Sequence, residues 1–395
     1  MSGCVIFPNP RSLPGPEYRQ WPAVSVQAHF DARAEIASWP YYAPTPLHSL
    51  AALAGESGLA AIHYKDESQR FGVRSFKALG GAYAVLRLIQ QHVQRETGAT
   101  PSSADLRLGA HAAIAAQLTV TTATAGNHGR AVAWGAAEFG CRAVIYVPRT
   151  CSPIREHAIA SLGADVVRTP SDYDDTVRQC AADAARNGWQ VVSDTSWEGY
   201  EEIPATIMAG YTVMVFEAAE QLGPPPTHVF VQGGVGGLAA AACAHYWLRC
   251  GAARPRFIVV EPEGAACLMS SARAGRPTRP AGEIHTIMAC LECGEVSPVA
   301  WQVLDKGANF FMTIPDDAAP ATMRRLAQSG IIAGESGVAG LAGVLAAVQD
   351  PQARTQLQLT NDSRVLVFGT EGATDPLMWR KLVSELAPGP LTAGP

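Results

Sequence analysis

No stretch of this chain is long and apolar enough to cross a bilayer. The most apolar segment, Val229 to Cys243, is interrupted by Gln232 and four glycines and is too short to span. A basic region followed by an apolar run is missing at the N-terminus, so no secretory signal is expected. There is no block or stripe of Lys and Arg. The 30 basic and 35 acidic residues are interleaved for a net charge of -5, which argues against nucleic acid as a partner. Internal repeats and low-complexity tracts are lacking, apart from a Gly/Pro-rich tail after Ala387. The nine cysteines are an odd number in a long chain without a signal, which points to reduced thiols and a cytoplasmic protein. Cys290 and Cys293 form a C-x-x-C, but no second pair at zinc-ligand spacing accompanies them, so no metal is expected.

What is present is a chain of 395 residues, 48% hydrophobic and 16% charged, ample for large cores. The first 45 residues are rich in proline and aromatics, show no period, and suggest an arm packed on the body. From Ser75 a helical pattern begins, with Phe76, Leu79, Tyr83 and Leu86 on one face and Ser75 placed to cap it. Strands then alternate with helices: Gln117–Thr122, Ala143–Val147, Ala164–Arg168 and Trp189–Val192 as strands, Gly129–Phe139, Pro153–Leu162 and Tyr173–Asn187 as helices. After a helix around Thr206–Leu222 the theme resumes with strands His228–Val231 and Arg256–Val260 around a helix Leu238–Arg249, and a last strand Val365–Phe368. This alternation predicts an α/β fold with two parallel-sheet regions and a site in the cleft between them.

Four features carry chemistry. Lys77 stands at the first turn of a helix, where the dipole weakly opposes its protonation and favours the neutral amine that Schiff-base formation needs. A lone lysine is ordinarily a solvated surface residue; its company changes that. The run Gly233-Gly234-Val235-Gly236-Gly237 links a strand to a helix and can close backbone N–H groups on a phosphate. It is neither a Rossmann fingerprint nor a Walker A loop, and a plain tight turn is the alternative. The turn from Thr121 through Thr122, Thr124, Ala125, Gly126 and Asn127 to His128 offers hydroxyls, backbone donors and an amide for a carboxylate or a phenolic oxygen. His128 there is a structural hydrogen-bonder or a general base. Thr370 and Thr374, after the final strand, can reach a ring in the cleft or merely cap a helix.

Together these residues resemble the fold type II PLP-dependent enzymes, the tryptophan-synthase-β or threonine-dehydratase family, over nearly the whole chain. The likeness sharpens to the diaminopropionate ammonia-lyase branch in residues 42–47, in Lys65-Asp66-Glu67-Ser68-Gln69-Arg70-Phe71-Gly72, in Ser75-Phe76-Lys77, in Gly126-Asn127-His128-Gly129-Arg130, in residues 233–238 and in Gly334-Glu335-Ser336-Gly337. The resemblance implies a large cofactor domain of residues 1–85 and 215–395, a small domain of residues 86–214, and a homodimer. It implies that Lys77 carries pyridoxal 5'-phosphate and then moves the α-proton, that Phe76 lies against the ring, and that Asn127 bonds the phenolic oxygen. It implies further that residues 233–237 hold the phosphate and that Thr370 or Thr374 faces the pyridine nitrogen. Cys267 and Cys293 resemble a pair that can bridge in this branch.

One position departs. The branch has an aspartate directly before Gly-Asn-His-Gly, and here that position is Ala125. A positioned base is typically worth ~10²–10⁴ in rate. Alanine at this position resembles the serine and threonine dehydratases, and it leaves Lys77 as the base at the α-carbon, so an L-selective enzyme is expected. Asp194 resembles a second family aspartate that can recognise an amine or act as an acid on the leaving group. The expected activity is β-elimination from a 2-amino acid to a 2-oxo acid and ammonia, with L-2,3-diaminopropionate first. Dehydration of a β-hydroxy amino acid (serine, threonine or an aryl-serine), a β-replacement synthase, and a non-catalytic PLP-binding protein are the alternatives.

Overall fold

The computed structural model describes residues 3–14, 25–124 and 126–384. The Gly/Pro-rich tail and Ala125 lie outside the described residues, as does part of the N-terminal arm. Two sheets organise the rest. The larger runs in the order β1 (Val5–Pro8), β10 (Phe310–Ile314), β9 (Arg256–Pro262), β8 (His228–Gln232), β11 (Arg364–Gly369), β3 (Ala61–Asp66), β2 (Leu47–Ser49). The smaller runs β6 (Asp165–Arg168), β5 (Arg142–Val147), β4 (Thr119–Ala123), β7 (Gln190–Val191).

The smaller sheet is parallel throughout. The larger is parallel only across its inner strands, from β10 to β3. Its two edges, β1 on β10 and β2 on β3, run antiparallel. β1 belongs to the first 45 residues, whose expected arm is therefore partly woven into the sheet, and β2 follows directly after them. The same segment supplies the helix Val26–Ala37, capped by the Ser25 hydroxyl accepting from the Ala28 N–H at 3.1 Å.

The central helix, Lys77–Thr97, is buried along most of its length, including Leu79, Tyr83 and Leu86 of the expected apolar face. It crosses two neighbours at glycines. A Cβ at Gly81 would come 2.9 Å from the Ala131 Cβ, and one at Gly135 would come 2.6 Å from the Ala82 Cα, so the helix Asn127–Phe139 packs nearly backbone to backbone. On the other side a Cβ at Gly210 would sit 2.1 Å from the Leu79 carbonyl oxygen, which locks the helix Glu202–Gln221 in place. Side chains at these crossings are excluded sterically.

The segment between β3 and Lys77 carries the family-like Lys65–Gly72 motif, and its charges are internal. Lys65 Nζ donates to the Thr45 carbonyl and to Glu217 Oε2, both at 2.7 Å, and to Gln221 Oε1 at 2.9 Å. The Arg70 guanidinium donates to Glu67 at 2.8 Å and to Glu217 at 2.8 and 2.9 Å. Burial pushes the Glu217 carboxyl up, but Arg70 and Lys65 outweigh it and hold the group below its ordinary value. This knot fixes a strained path: Phe71 (φ 48°) and Arg74 (φ 60°) are non-glycine residues in the left-handed region. Each costs on the order of 1–2 kcal/mol.

Candidate active site

Parallel strands bring their following loops to one end of a sheet, and ligands bind there, at the point where the strand order reverses. In the larger sheet that point is between β8 and β11, since the chain leaves β8 toward β9 and returns at β11. The cleft at this end is walled by the loops after β8, β11 and β4 and by the start of the helix that bears Lys77. Phe76, Lys77, Thr124, Gly126, Asn127, His128, Asp194 and Thr370 all line it.

Phe76 and not Ser75 occupies the residue position just before the central helix, but Ser75 still meets one of the helix's first N–H groups. It forms a backbone bridge to Glu371, and its hydroxyl accepts from the Lys77 N–H at 3.3 Å. The lysine is thereby tied to the loop after β11. Lys77 Nζ donates to Asp194 Oδ2, and both side chains are mostly buried. Burial opposes the ammonium charge, but the Asp194 carboxylate outweighs it and holds Lys77 above the usual lysine range. The same pair holds Asp194 well below the carboxylate range despite its burial. His128 Nε2 is 2.7 Å from the Val192 carbonyl oxygen, so that nitrogen carries the proton. Its Nδ1 is 3.9 Å from Asp194 and has no hydrogen-bond partner among the described residues. Burial holds the ring neutral by lowering its pKa.

The glycine run divides in two. Gly234, Val235, Gly236 and Gly237 line the cleft, and Gly233 does not. A Cβ at Gly233 would meet Leu268 Cδ1 at 2.5 Å and Val259 Cγ1 at 2.8 Å, so that glycine serves packing. Gly236, at φ 102°, is where the backbone needs glycine to enter the helix Gly237–Cys250. None of the N–H groups of residues 234–237 donates to an acceptor among the described loop and side-chain bonds. They form an open row at a helix N-terminus.

Thr370 and Thr374 also part. Thr370 lines the cleft and its oxygen accepts from Gln232 Nε2 at 2.8 Å, which leaves its own O–H free to donate. Thr374 is buried away from the cleft wall, its hydroxyl unpaired among the described residues. Thr122 is likewise off the wall, its hydroxyl 3.4 Å from the Ala123 carbonyl oxygen within the same strand. Cys267 and Cys293 are free thiols, and burial pushes Cys293 up to about 12.

Several wall residues carry no periodic or spacing signal in the sequence: Tyr173, Tyr211, Gln232 and Glu371. Glu371 is the most consequential. Its Oε2 accepts from Asn127 Nδ2 and its Oε1 from the Ser336 N–H at 3.1 Å, so it orients the amide that the sequence singled out. Behind it Arg155 pairs with Glu335 at 2.6 Å.

Residues 39–371 match the family of pyridoxal-phosphate dependent enzymes. The chain is 42% identical over 358 residues to a diaminopropionate ammonia-lyase of Escherichia coli, covering 87% of this chain and 88% of that one. A diaminopropionate ammonia-lyase of Salmonella typhimurium is 39% identical over 360 residues. The crystal structure of holo diaminopropionate ammonia lyase from Escherichia coli superposes with a TM-score of 0.88 at 38% identity, covering 96% of both chains. The fold and cleft are those of a fold type II PLP-dependent lyase. The chain belongs to the diaminopropionate ammonia-lyase family, and its cofactor is pyridoxal 5'-phosphate.

Proposed function

We propose that the enzyme eliminates ammonia from L-2,3-diaminopropionate, giving one pyruvate and two ammonia per substrate with consumption of one water. The donor set suits the cofactor: an amine at Lys77, an open row of N–H groups at residues 234–237 for the phosphate, and a free O–H on Thr370 for a ring nitrogen. A neutral hydroxyl facing that nitrogen leaves it unprotonated. Phe76 would lie beside the ring and Asn127, oriented by Glu371, would bond its phenolic oxygen. Thr124, Gly126 and His128 are assigned to the substrate's carboxylate side. When bound, pyridoxal phosphate draws electrons from the substrate's α-carbon, which acidifies the α-proton and lets a β-substituent leave.

The observation that carries the reading is Asp194. It already holds a primary ammonium, that of Lys77, in a mostly buried place. A substrate with a β-ammonium presents the same group, so Asp194 can pair with it once Lys77 is drawn away. Lys77 Nζ, a neutral amine once the substrate's α-amine has displaced it from the cofactor, would then take the α-proton, and the β-nitrogen, already protonated, would leave with the C–N electron pair as ammonia. Lys77 is the base assigned at the α-carbon, consistent with alanine and not aspartate at sequence position 125, so the L-isomer is favoured. Ala125 also supports the second reading, a dehydratase acting on serine, threonine or phenylserine. Ammonia release should be measured with L- and D-diaminopropionate, L-serine, L-threonine and phenylserine. Fastest turnover of L-diaminopropionate is expected. Faster turnover of a hydroxy amino acid overturns the choice of substrate, and equal rates on the D-isomer overturn the one-base assignment.

We also infer two domains, residues 86–214 and residues 1–85 with 215–395, because the strands of the two sheets divide along these lines. No helix among the described residues is long and apolar enough to cross a membrane. A cytoplasmic homodimer is proposed from the family resemblance, and sedimentation of the purified protein tests the assembly.

A further inference from the structure

Tyr211 has a place in the cleft that its packing does not explain. It sits in the helix Glu202–Gln221 and lines the cavity. Its ring centroid is 4.6 Å from that of Phe76, and a Cβ at Gly80 would come 2.5 Å from its Cε1. The ring is thus fixed in position. Its hydroxyl, on a residue only 1% exposed, meets no group at full hydrogen-bond geometry among the described residues, and the group that interacts with it is the Lys77 amine. Phenylalanine would fill the same wall without leaving a buried polar group unmet. Lys77 Nζ lies 5.6 Å from the centre of this ring. Burial keeps the phenol protonated by raising its pKa, with Lys77 opposing.

We propose that Tyr211 is a positioning residue for Lys77. This inference rests on the assignment of Lys77 as the α-proton base. When the substrate's ammonium takes Asp194, the lysine amine loses its acceptor. The Tyr211 oxygen then accepts one amine N–H, which turns the nitrogen lone pair toward the α-carbon. After the α-proton moves to Nζ, the resulting ammonium donates to the same oxygen. No bond to Tyr211 is made or broken.

Tyr211→Phe, as the holoenzyme, removes the hydroxyl and keeps the ring. Loss of one hydrogen bond to a charged group predicts that kcat falls about 10–100-fold while KM stays within about 2-fold. Removing an acceptor from the ammonium lowers the lysine pKa, so the acidic limb of the kcat profile moves down by about one pH unit. The same downward move is expected in the pH dependence of Schiff-base formation when pyridoxal phosphate is added back to cofactor-stripped protein, a readout free of turnover. Final absorbance and Tm should match wild type. Unchanged kcat and pH limbs overturn the proposal. So does a fall in kcat accompanied by lost Schiff-base absorbance or a lowered Tm, which marks the ring's fit as the whole effect. A wild-type enzyme with no Schiff-base band, or one whose band survives Lys77→Ala, overturns the Lys77 assignment and this inference with it.

Discussion

Two groups of buried charges serve this chain, and they differ in how completely they are paired. Around Lys65 and Arg70, the three Lys65 hydrogen bonds, the guanidinium and both carboxylates of Glu67 and Glu217 all find partners, with Tyr42 and Thr45 joining in. Around Lys77 the pairing is left short. His128 Nδ1, Tyr211 Oη, Arg155 Nε and Gln232 Oε1 are all buried without a hydrogen bond at full geometry among the described residues. An unmet buried polar atom costs on the order of 1–3 kcal/mol. A closed network holds backbone in place, and an open one keeps valences for something that arrives.

The comparison can be broken at several points. Lys77→Ala should have the largest effect, a loss of at least ~10²–10⁴ in ammonia release together with the Schiff-base absorption. Next, Arg70→Met leaves Glu67 and Glu217 short of their cation and should cost about 3–5 kcal/mol in denaturant unfolding. If that cost is near zero, the closed network is not what holds the segment before Lys77. Asp194→Asn should reverse the pattern, with ~10²-fold or more lost in rate but a smaller stability loss than Arg70→Met, because Lys77 keeps an 18% exposed side chain and some solvent.

The smallest effect is on acid stability. Burial holds His245 down to about 3 and His29 to about 4, against an ordinary value of 6.5. The unfolded chain takes up these protons first as pH drops, so stability is full above pH 6.5 and declines progressively, through about pH 4 for His29 and to about pH 3 for His245. His245→Phe should flatten that decline in urea titrations. An equally steep curve would remove these histidines from the account.

The alternation of strands and helices was visible in the sequence because β5, β8, β9 and β11 are short apolar runs bounded by helical patterns. Strand β3 was hidden because Lys65 and Asp66 interrupt it, and only the tertiary structure supplies their partners. The edge strands β1 and β2 are four and three residues long, too short for any period. Lys77, Asn127 and the glycine run stood out through residue type and position beside predicted strands. Of their partners, Asp194, 117 positions from Lys77, came through the family resemblance alone, and Glu371, 244 positions from Asn127, did not stand out. Tyr211 lies in a helix buried nearly all round, where no face is marked. Gly233 looked like the rest of its run, and only its contacts with Leu268 and Val259 distinguish it.

The crossing at Gly80 and Gly210 has a consequence for anyone wishing to change what this enzyme accepts. With less than a methyl group's clearance between two backbones, the lysine's location is a property of the scaffold and not of the loops around it. Residues 289–293 can be varied as a replaceable lining while the reacting nitrogen stays where it is. A library that spares both glycines would search new substrates against a fixed origin. One that mutates either would move the origin itself.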